Sequence, residues 1–329
     1  MGEVKQNSLK AWVLAARPKT LAGAAAPVFV GWALALFFTK AAPHFFGDFL
    51  WIPAILCLLF AILMQIDANF INDYFDFKKG TDTSERLGPE RACAQGWITL
   101  RAMKVGIIVI TVLACCAGLP LMIFGGWWLV IVGIACVIGA FLYTTYLSYR
   151  GWGDLLVVIF FGVVPVFFTQ YVITGGGECY KGFMAEFAVL LAGLAVGFVT
   201  DNLLVVNNYR DRDTDAKTGK KTIIVRLGAK AGERLYLFNG IMGILLASIS
   251  VFILNICYSE WLRYLTDPRC FIPFLFLPFL IAVYLKMKRI NRGRALNAVL
   301  GATSRNILIF SILLIIAILF ITPLFCVLY

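Results

Sequence analysis

Runs of about 20 predominantly apolar residues recur along this chain, each long enough to cross a bilayer's hydrocarbon core as a helix. That recurrence constrains the fold more than any single motif. Backbone in lipid has no water to satisfy its N–H and C=O groups, so a chain of such runs folds as a bundle of helices. Hydrophobic residues make up 61% of the 329 and charged residues only 14%, far below the ~25% charged share of soluble domains. The expected fold class is all-α, a polytopic membrane protein of one domain over 1–329. Nine transmembrane helices are predicted near 20–39, 49–72, 103–121, 126–147, 153–174, 185–207, 235–256, 271–287 and 306–327. The first ten residues are polar and no short apolar stretch with a small-residue cleavage site follows, so no removable signal peptide is expected.

The net charge of +11 raises nucleic acid as a partner; its distribution indicates topology instead, and no nucleic-acid partner is expected. With the N-terminus inside, every lysine and arginine except Lys40, Lys181, Arg263 and Arg269 falls on the inner side, which is the positive-inside pattern. The N-terminus and the basic loops are therefore expected in the cytoplasm. Residues 77–102 and 208–234 form long basic inner loops, suited to act as cytoplasmic caps over a site at the membrane face. Residues 8–16 are expected to be a short interfacial helix ending at Arg17-Pro18. His44 is the single histidine and no CxxC occurs, so a zinc or histidine-based metal site is not expected. Cys57, Cys115, Cys116, Cys136 and Cys326 sit in apolar runs as small hydrophobes. Cys257 and Cys270 flank one outer loop, where a disulfide or a pair of thiols both suit.

Two acidic clusters lie at the inner ends of the second and sixth spans. The first begins Asn72-Asp73-Tyr74-Phe75-Asp76 and continues through Lys78 to Asp82; the second begins Asn207-Asn208-Tyr209-Arg210-Asp211 and continues through Asp213, Asp215 and Lys217 to Lys220 and Lys221. Both carry the pattern N-x-Y-x-D, a weak internal repeat of two pseudo-repeats with motifs near 72–82 and 207–222. Asn72 and Asp76 are spaced i,i+4, as are Asp211 and Asp215, so each pair shares a face if its helix continues that far. Oxygen donors on one face suit a hard cation such as Mg²⁺, which bridges to phosphate oxygens. Arg210, Lys217, Lys220 and Lys221 set cations among the acids, which fits a diphosphate gripped both through metal and directly. Asp213 points elsewhere and reads as solvated. Asp67 and Asp201 lie inside spans, where a charge is expensive. Asp201 falls within about 20–40° of Asn208 and Asp215, and Asp67 about 140–180° from Asn72 and Asp76. Asp201 is thus the better candidate for a cavity, with a protonated acid bonded to a neighbouring helix as the alternative for both.

These stretches, with Arg17-Pro18-Lys19-Thr20-Leu21, Glu85-Arg86-Leu87-Gly88-Pro89, Tyr149-Arg150-Gly151-Trp152-Gly153-Asp154 and Thr218-Gly219-Lys220-Lys221-Thr222, give the chain a resemblance over nearly its whole length. It resembles the UbiA superfamily of intramembrane aromatic prenyltransferases, and within it the naphthoate branch of menaquinone synthesis. The resemblance implies nine helices around a central cavity in a bacterial inner membrane. It implies transfer of a prenyl group from polyprenyl diphosphate to 1,4-dihydroxy-2-naphthoate, with loss of diphosphate and CO₂, giving demethylmenaquinol. It makes Asn72, Asp76, Asp211 and Asp215 ligands of two Mg²⁺ ions, with Arg150 joining Asp76, Asp211 and Asp215 in catalysis. Asn72, Asp73, Lys78, Arg210 and Lys217 become diphosphate contacts. Arg17, Lys19, Asp201 and Tyr149 are the candidates for the acceptor. For Arg17 and Lys19, a diphosphate contact or anchoring to lipid headgroups fits equally. Asp82 stands two residues beyond the position usual in the superfamily's first motif, which leaves its metal role in doubt. Arg150 replaces the lysine of the family's inner-loop element, contacting phosphate as a planar fork.

Other readings remain open at this point: another prenyl acceptor, such as 4-hydroxybenzoate, a haem vinyl group or a glycerol phosphate, or a cation-coupled transporter. A transporter would place its acids near the bilayer midplane on broken helices, whereas most acids here cluster with Lys and Arg at one membrane face. Tyr143, Tyr146 and Tyr149, with Phe70, Tyr74 and Phe75, crowd the same face, either to stabilise a carbocation through their rings or as an interfacial belt.

Overall fold

The computed structural model describes residues 4–80, 87–176, 182–258 and 268–320. A short helix α1 (Leu9–Ala16) starts at Ser8, whose hydroxyl accepts the backbone N–H of Ala11 at 3.3 Å, a conventional N-cap. Nine helices long and apolar enough to cross a membrane follow among the described residues: α2 (Pro18–Ala41), α3 (Trp51–Lys78), α4 (Leu100–Gly125), α5 (Leu129–Arg150), α6 (Gly153–Ile173), α7 (Phe183–Lys217), α8 (Ala229–Tyr258), α9 (Pro268–Ile290) and α10 (Arg294–Leu319). Cys257 and Cys270 pack against the core that α2, α7, α8 and α10 share.

Helix number and order match the hydropathy pattern; several ends do not. Helices α3 and α7 run past the apolar stretch to Lys78 and Lys217, so Asn72–Asp76 and Asn207–Asp215 are helical. Hydropathy marks where hydrocarbon stops; a helix goes on while its backbone bonds can be made. The loop expected over 208–234 therefore shrinks, because α7 takes its beginning, α8 its end, and a five-residue helix, Ile223–Leu227, its middle. The last helix is also displaced. It begins at Arg294, not near 306, and residues expected in an inner loop form its first turns. Asp82, and the Glu85-Arg86 start of one quoted stretch, lie outside the described residues.

Helices α6 and α7 meet backbone to backbone. A Cβ on Gly162 would stand 2.4 Å from the Gly193 carbonyl oxygen and 2.4 Å from Gly197 Cα, and one on Gly197 would stand 2.6 Å from the Val158 carbonyl oxygen. Gly193 and Gly197 form a small-xxx-small pair, which lets helices approach closely where lipid supplies no hydrophobic drive for association. A π-turn, Ile159–Val163, lies at the crossing, and a second, Tyr143–Leu147, near the end of α5. Such turns shift the phase of the side chains beyond them and often sit beside functional sites.

At the end of the bundle carrying the basic loops, hydrogen bonds tie the segments together. Asn297 donates to the Leu87 carbonyl at 2.9 Å, the Lys221 N–H to that of Tyr149 at 2.9 Å, and Arg226 to that of Arg150 at 3.1 Å. Arg212 donates to the Asn291 carbonyl at 2.8 Å, and Tyr209 donates to Glu233 at 3.0 Å.

Gly197→Leu is expected to destabilise the protein by about 1–3 kcal/mol or more, the range for overpacking, because its neighbours are main chain and cannot yield. Gly301→Leu, where a Cβ meets nothing within 4 Å, should change stability by less than about 0.5 kcal/mol. Thermal unfolding of both variants in one detergent checks the contrast.

Candidate active site

The site begins with two polar stripes in apolar helices. On α3, Gln65, Asn69 and Asn72 line a cavity together with Cys57, Phe60 and Met64. Their spacing of four and three residues keeps them on one helical face, and Asp76 continues it. On α7 the cavity face runs through Thr200, Leu203, Leu204 and Asn207, and Asp211 and Asp215 continue it toward the basic end. The cavity measures about 550 Å³ and is walled by α2 to α7, with mostly apolar side chains toward its far end.

Around its polar end each of the three acids proposed for metal has a cation. Arg91 lies 3.2 Å from Asp76, Arg210 grips Asp211 with contacts of 2.6 and 2.7 Å, and Lys220 stands 3.5 Å from Asp215. Tyr143 lines the cavity together with Asn72 of the first motif and Asn207 of the second, so the two motifs open onto one space. Asn72 accepts a 2.6 Å bond from Thr144, inside the π-turn of α5. The turn leaves the Thr144 and Thr145 carbonyls for Lys79, whose ammonium lies 3.5 and 2.9 Å from them and 4.1 Å from the Tyr149 ring centroid.

The structure gives several of the expected residues partners within the protein. Asp73 is 1% exposed and turns away from the cavity. Its carboxylate accepts the backbone N–H groups of Ala92 and Cys93 at 2.8 and 3.0 Å, so it holds the segment after α3. Burial and this carboxylate push the Cys93 thiol up from its ordinary range, which keeps it protonated and unreactive. Arg210 is 3% exposed, and its guanidinium is occupied by Asp211 and, at 2.8 Å, by Asn297. It braces Asp211 against Asn297. Lys217 is exposed, and Lys220 is the lysine that reaches the acids. Lys78 is exposed too, and its neighbour Lys79 is the one bound to α5. Arg150 is exposed, 4.0 Å over the Tyr146 ring.

Of the acceptor candidates, Arg17 lines the cavity and Lys19 is exposed. Asp201 faces α8, accepting a 2.8 Å bond from Asn239. The face that lines the cavity passes through Thr200, about 100° round the helix. Asp67 is fully buried against α4, accepting from Thr111 at 2.8 Å. Asp213 is the solvated acid expected, 62% exposed and 3.7 Å from Arg292. Sequence reasoning passed over Gln65, Asn69, Arg91, Thr144 and Asp154. The Gln65–Asn69–Asn72–Asp76 stripe was open to the same periodicity argument applied to the acids. Arg91 carries no such signal.

Among the described residues no three of His, Cys, Asp and Glu gather closely enough to chelate a metal unaided. The donors at hand are carboxylate and amide oxygens split between two helices. That set fits Mg²⁺, which keeps several waters and takes one or two carboxylates plus substrate phosphates rather than an all-protein cage.

Nine membrane-length helices among the described residues, with an apolar cavity that ends in paired acids and cations, make this a polytopic membrane protein with a site suited to an anionic head group. The chain belongs to the UbiA prenyltransferase family, whose model matches residues 24–299. It is 32% identical over 308 residues to a 1,4-dihydroxy-2-naphthoate octaprenyltransferase of Mycobacterium tuberculosis, covering 93% of this chain and 95% of that one. A Haemophilus influenzae protein of the same description is 35% identical over 241 residues, 69% of this chain and 72% of its own. The fold is shared with a UbiA homolog from Aeropyrum pernix K1 (TM-score 0.61, 15% identity, 89% of this chain and 97% of that). It is shared also with one from Archaeoglobus fulgidus bound to GPP and Mg²⁺ (TM-score 0.57, 15% identity, 93% and 99%).

Lys220→Gln is expected to weaken prenyl diphosphate binding about 10- to 150-fold, the worth of a charge-assisted contact. Lys217→Gln should change it by about 2-fold at most, as for an ordinary surface position. Titration of the diphosphate at saturating acceptor separates them.

Proposed function

We propose that this membrane prenyltransferase moves a polyprenyl group from its diphosphate onto 1,4-dihydroxy-2-naphthoate, giving demethylmenaquinol, with the head group bound between the ends of α3 and α7. The observation that carries this reading is that Asn72 of the first motif and Asn207 of the second line one mostly apolar cavity, with Asp76, Asp211 and Asp215 farther along the same helix faces. The relatives described as naphthoate octaprenyltransferases supply the acceptor class.

Asn72, Asp76, Asp211 and Asp215 would hold the Mg²⁺ ions, two in this reading, one for each helix end. Bound there, the metal would neutralise charge on the leaving diphosphate. Lys220 and Arg91 sit beside those acids and supply direct charge-assisted donors to the diphosphate as it departs. The C–O bond to the allylic carbon breaks with both electrons leaving on diphosphate. The cation left behind lies among Tyr143, Phe160 and Phe161 on the cavity wall, where aromatic faces attract positive charge and water is excluded. The carboxyl-bearing ring carbon forms the new C–C bond. The carboxylate then leaves as CO₂, and its bonding pair restores the aromatic ring. No proton is removed at that carbon, so no side chain is needed as a general base there. Arg17 lines the polar end of the cavity and is read as the contact for the acceptor's carboxylate; exposed Lys19 is left to the headgroup region.

Asp76→Ala and Asp211→Ala are each expected to lower turnover by about 10²-fold or more, as loss of a strong transition-state stabiliser does. Near-normal turnover in either well-folded variant removes the metal assignment. Incubation of purified protein with labelled polyprenyl diphosphate, Mg²⁺ and a panel of aromatic acids, with products identified by mass, tests the reaction itself. A product from 4-hydroxybenzoate and none from the naphthoate would replace the acceptor.

The same reading puts the acidic motifs on the cytoplasmic side of a bacterial inner membrane. Thr218→Cys, in a variant otherwise cleared of reactive cysteines, should resist an impermeant thiol reagent in intact cells and react in opened ones. Labelling in intact cells would reverse the orientation.

A further inference from the structure

Among the described residues only Asn7, Arg17 and Asn291 are non-glycine residues in the left-handed region. Asparagine enters that region readily; arginine does not. Arg17, at φ 51°, is therefore the backbone position that needs holding, and it stands between α1 and α2 at the cavity wall. What holds it comes from a different helix. The Asn69 amide of α3 donates to the Ala16 carbonyl at 3.0 Å and to the Thr20 hydroxyl at 3.0 Å. Thr20 in turn donates to the Arg17 carbonyl at 2.9 Å. Gln65 donates to the Asn69 carbonyl oxygen at 3.3 Å, fixing which end of that amide faces the kink. Asn69 is 3% exposed and Gln65 9%. The bonds grip the chain on both sides of Arg17, and all four side chains line the cavity.

We propose that Asn69, oriented by Gln65, is a positioning residue for acceptor selection: it locks the Ala16–Arg17–Pro18 kink and so aims the Arg17 side chain at the acceptor's carboxylate. This rests on the reading of Arg17 as the acceptor contact. Without the Asn69 amide, the Ala16 carbonyl and the Thr20 hydroxyl lose a partner, and the kink relaxes toward ordinary backbone. The guanidinium then leaves its place. The diphosphate end is spared, because none of the bonds that lock the kink involves Asn72, Asp76, Asp211 or Asp215.

The test uses the full-length protein in nanodiscs, with Asn69→Leu, Thr20→Val, Arg17→Gln and the Asn69/Arg17 double variant. Thr20→Val removes a single hydroxyl and serves where Asn69→Leu fails to fold. KM is measured for the naphthoate and for polyprenyl diphosphate separately. Inhibition by 1,4-naphthohydroquinone, which lacks the carboxylate, is measured alongside. Asn69→Leu should raise the naphthoate KM about 10-fold or more, as for a lost charge-assisted contact, with the diphosphate KM within about 2-fold, the range of an uninvolved position. Binding of the naphthohydroquinone should barely move. Thr20→Val should act in the same direction and less, and the double variant should be no worse than its worse single. Equal weakening toward both substrates, or losses that add in the double variant, would overturn the proposal. An Arg17→Gln enzyme with an unchanged naphthoate KM would overturn the Arg17 reading beneath it. A wild-type protein that does not prenylate the naphthoate would instead overturn the acceptor assignment, and the proposal with it.

Discussion

A polar or charged side chain inside a bilayer has to find its partner within the protein, because lipid offers none. The rest of this structure follows from that constraint. Gln65, Asn69 and Asn72 occupy one face of α3, and each is bonded to another helix or to its neighbour on that face. The acids outside the cavity obey the same rule, Asp67 on Thr111 and Asp201 on Asn239. Satisfying these groups ties α3 to α1, α2, α4 and α5, and α7 to α8, and the cavity lies between α3 and α7.

Adjacent residues of one motif then take opposite work because a helix turns about 100° per residue. Asn72 faces the cavity while Asp73 faces the following segment and binds its backbone. Asp211 faces the site while Arg210 braces it against Asn297, which also holds Leu87. The frame around the head-group site is thus built from the same short sequences as the site. That economy contributes to the density of the acidic motifs: Asp73 and Arg210 keep neighbouring site residues in place.

Much of this was legible in the sequence, and the limits have physical causes. Apolar runs predict helices because the bilayer fixes their length, so number and order came through. Helix ends did not, since Asp76 and Asp215 lie in helix that has left the hydrocarbon. The i,i+4 pairing of acids was readable for the same reason that the helices were. Which of Lys217 and Lys220, or of Lys78 and Lys79, reaches inward was not, because flexible side chains at a helix end are placed by the turn that follows. Arg91 lies farther still from periodic structure. Its pairing with Asp76 goes with the anchoring of the next two residues, Ala92 and Cys93, on Asp73, a tertiary fact with no local signature.

The charge pairing at the polar end also bears on how a site of this kind stays stable without substrate. Three carboxylates at the edge of a low-dielectric cavity would repel one another and pay for desolvation. Arg91, Arg210 and Lys220 offset that cost one acid at a time. The pairs differ in what they leave available. Arg210 is buried and also committed to Asn297, so its hold on Asp211 is fixed. Lys220 reaches Asp215 only at 3.5 Å, from a turn that follows the helix, and a lysine on a flexible stem can exchange one anion for another. A site with one rigid pair and one loose pair keeps its geometry while it trades partners. That division follows from where the two cations lie, one inside helix α7 and one just beyond its last turn.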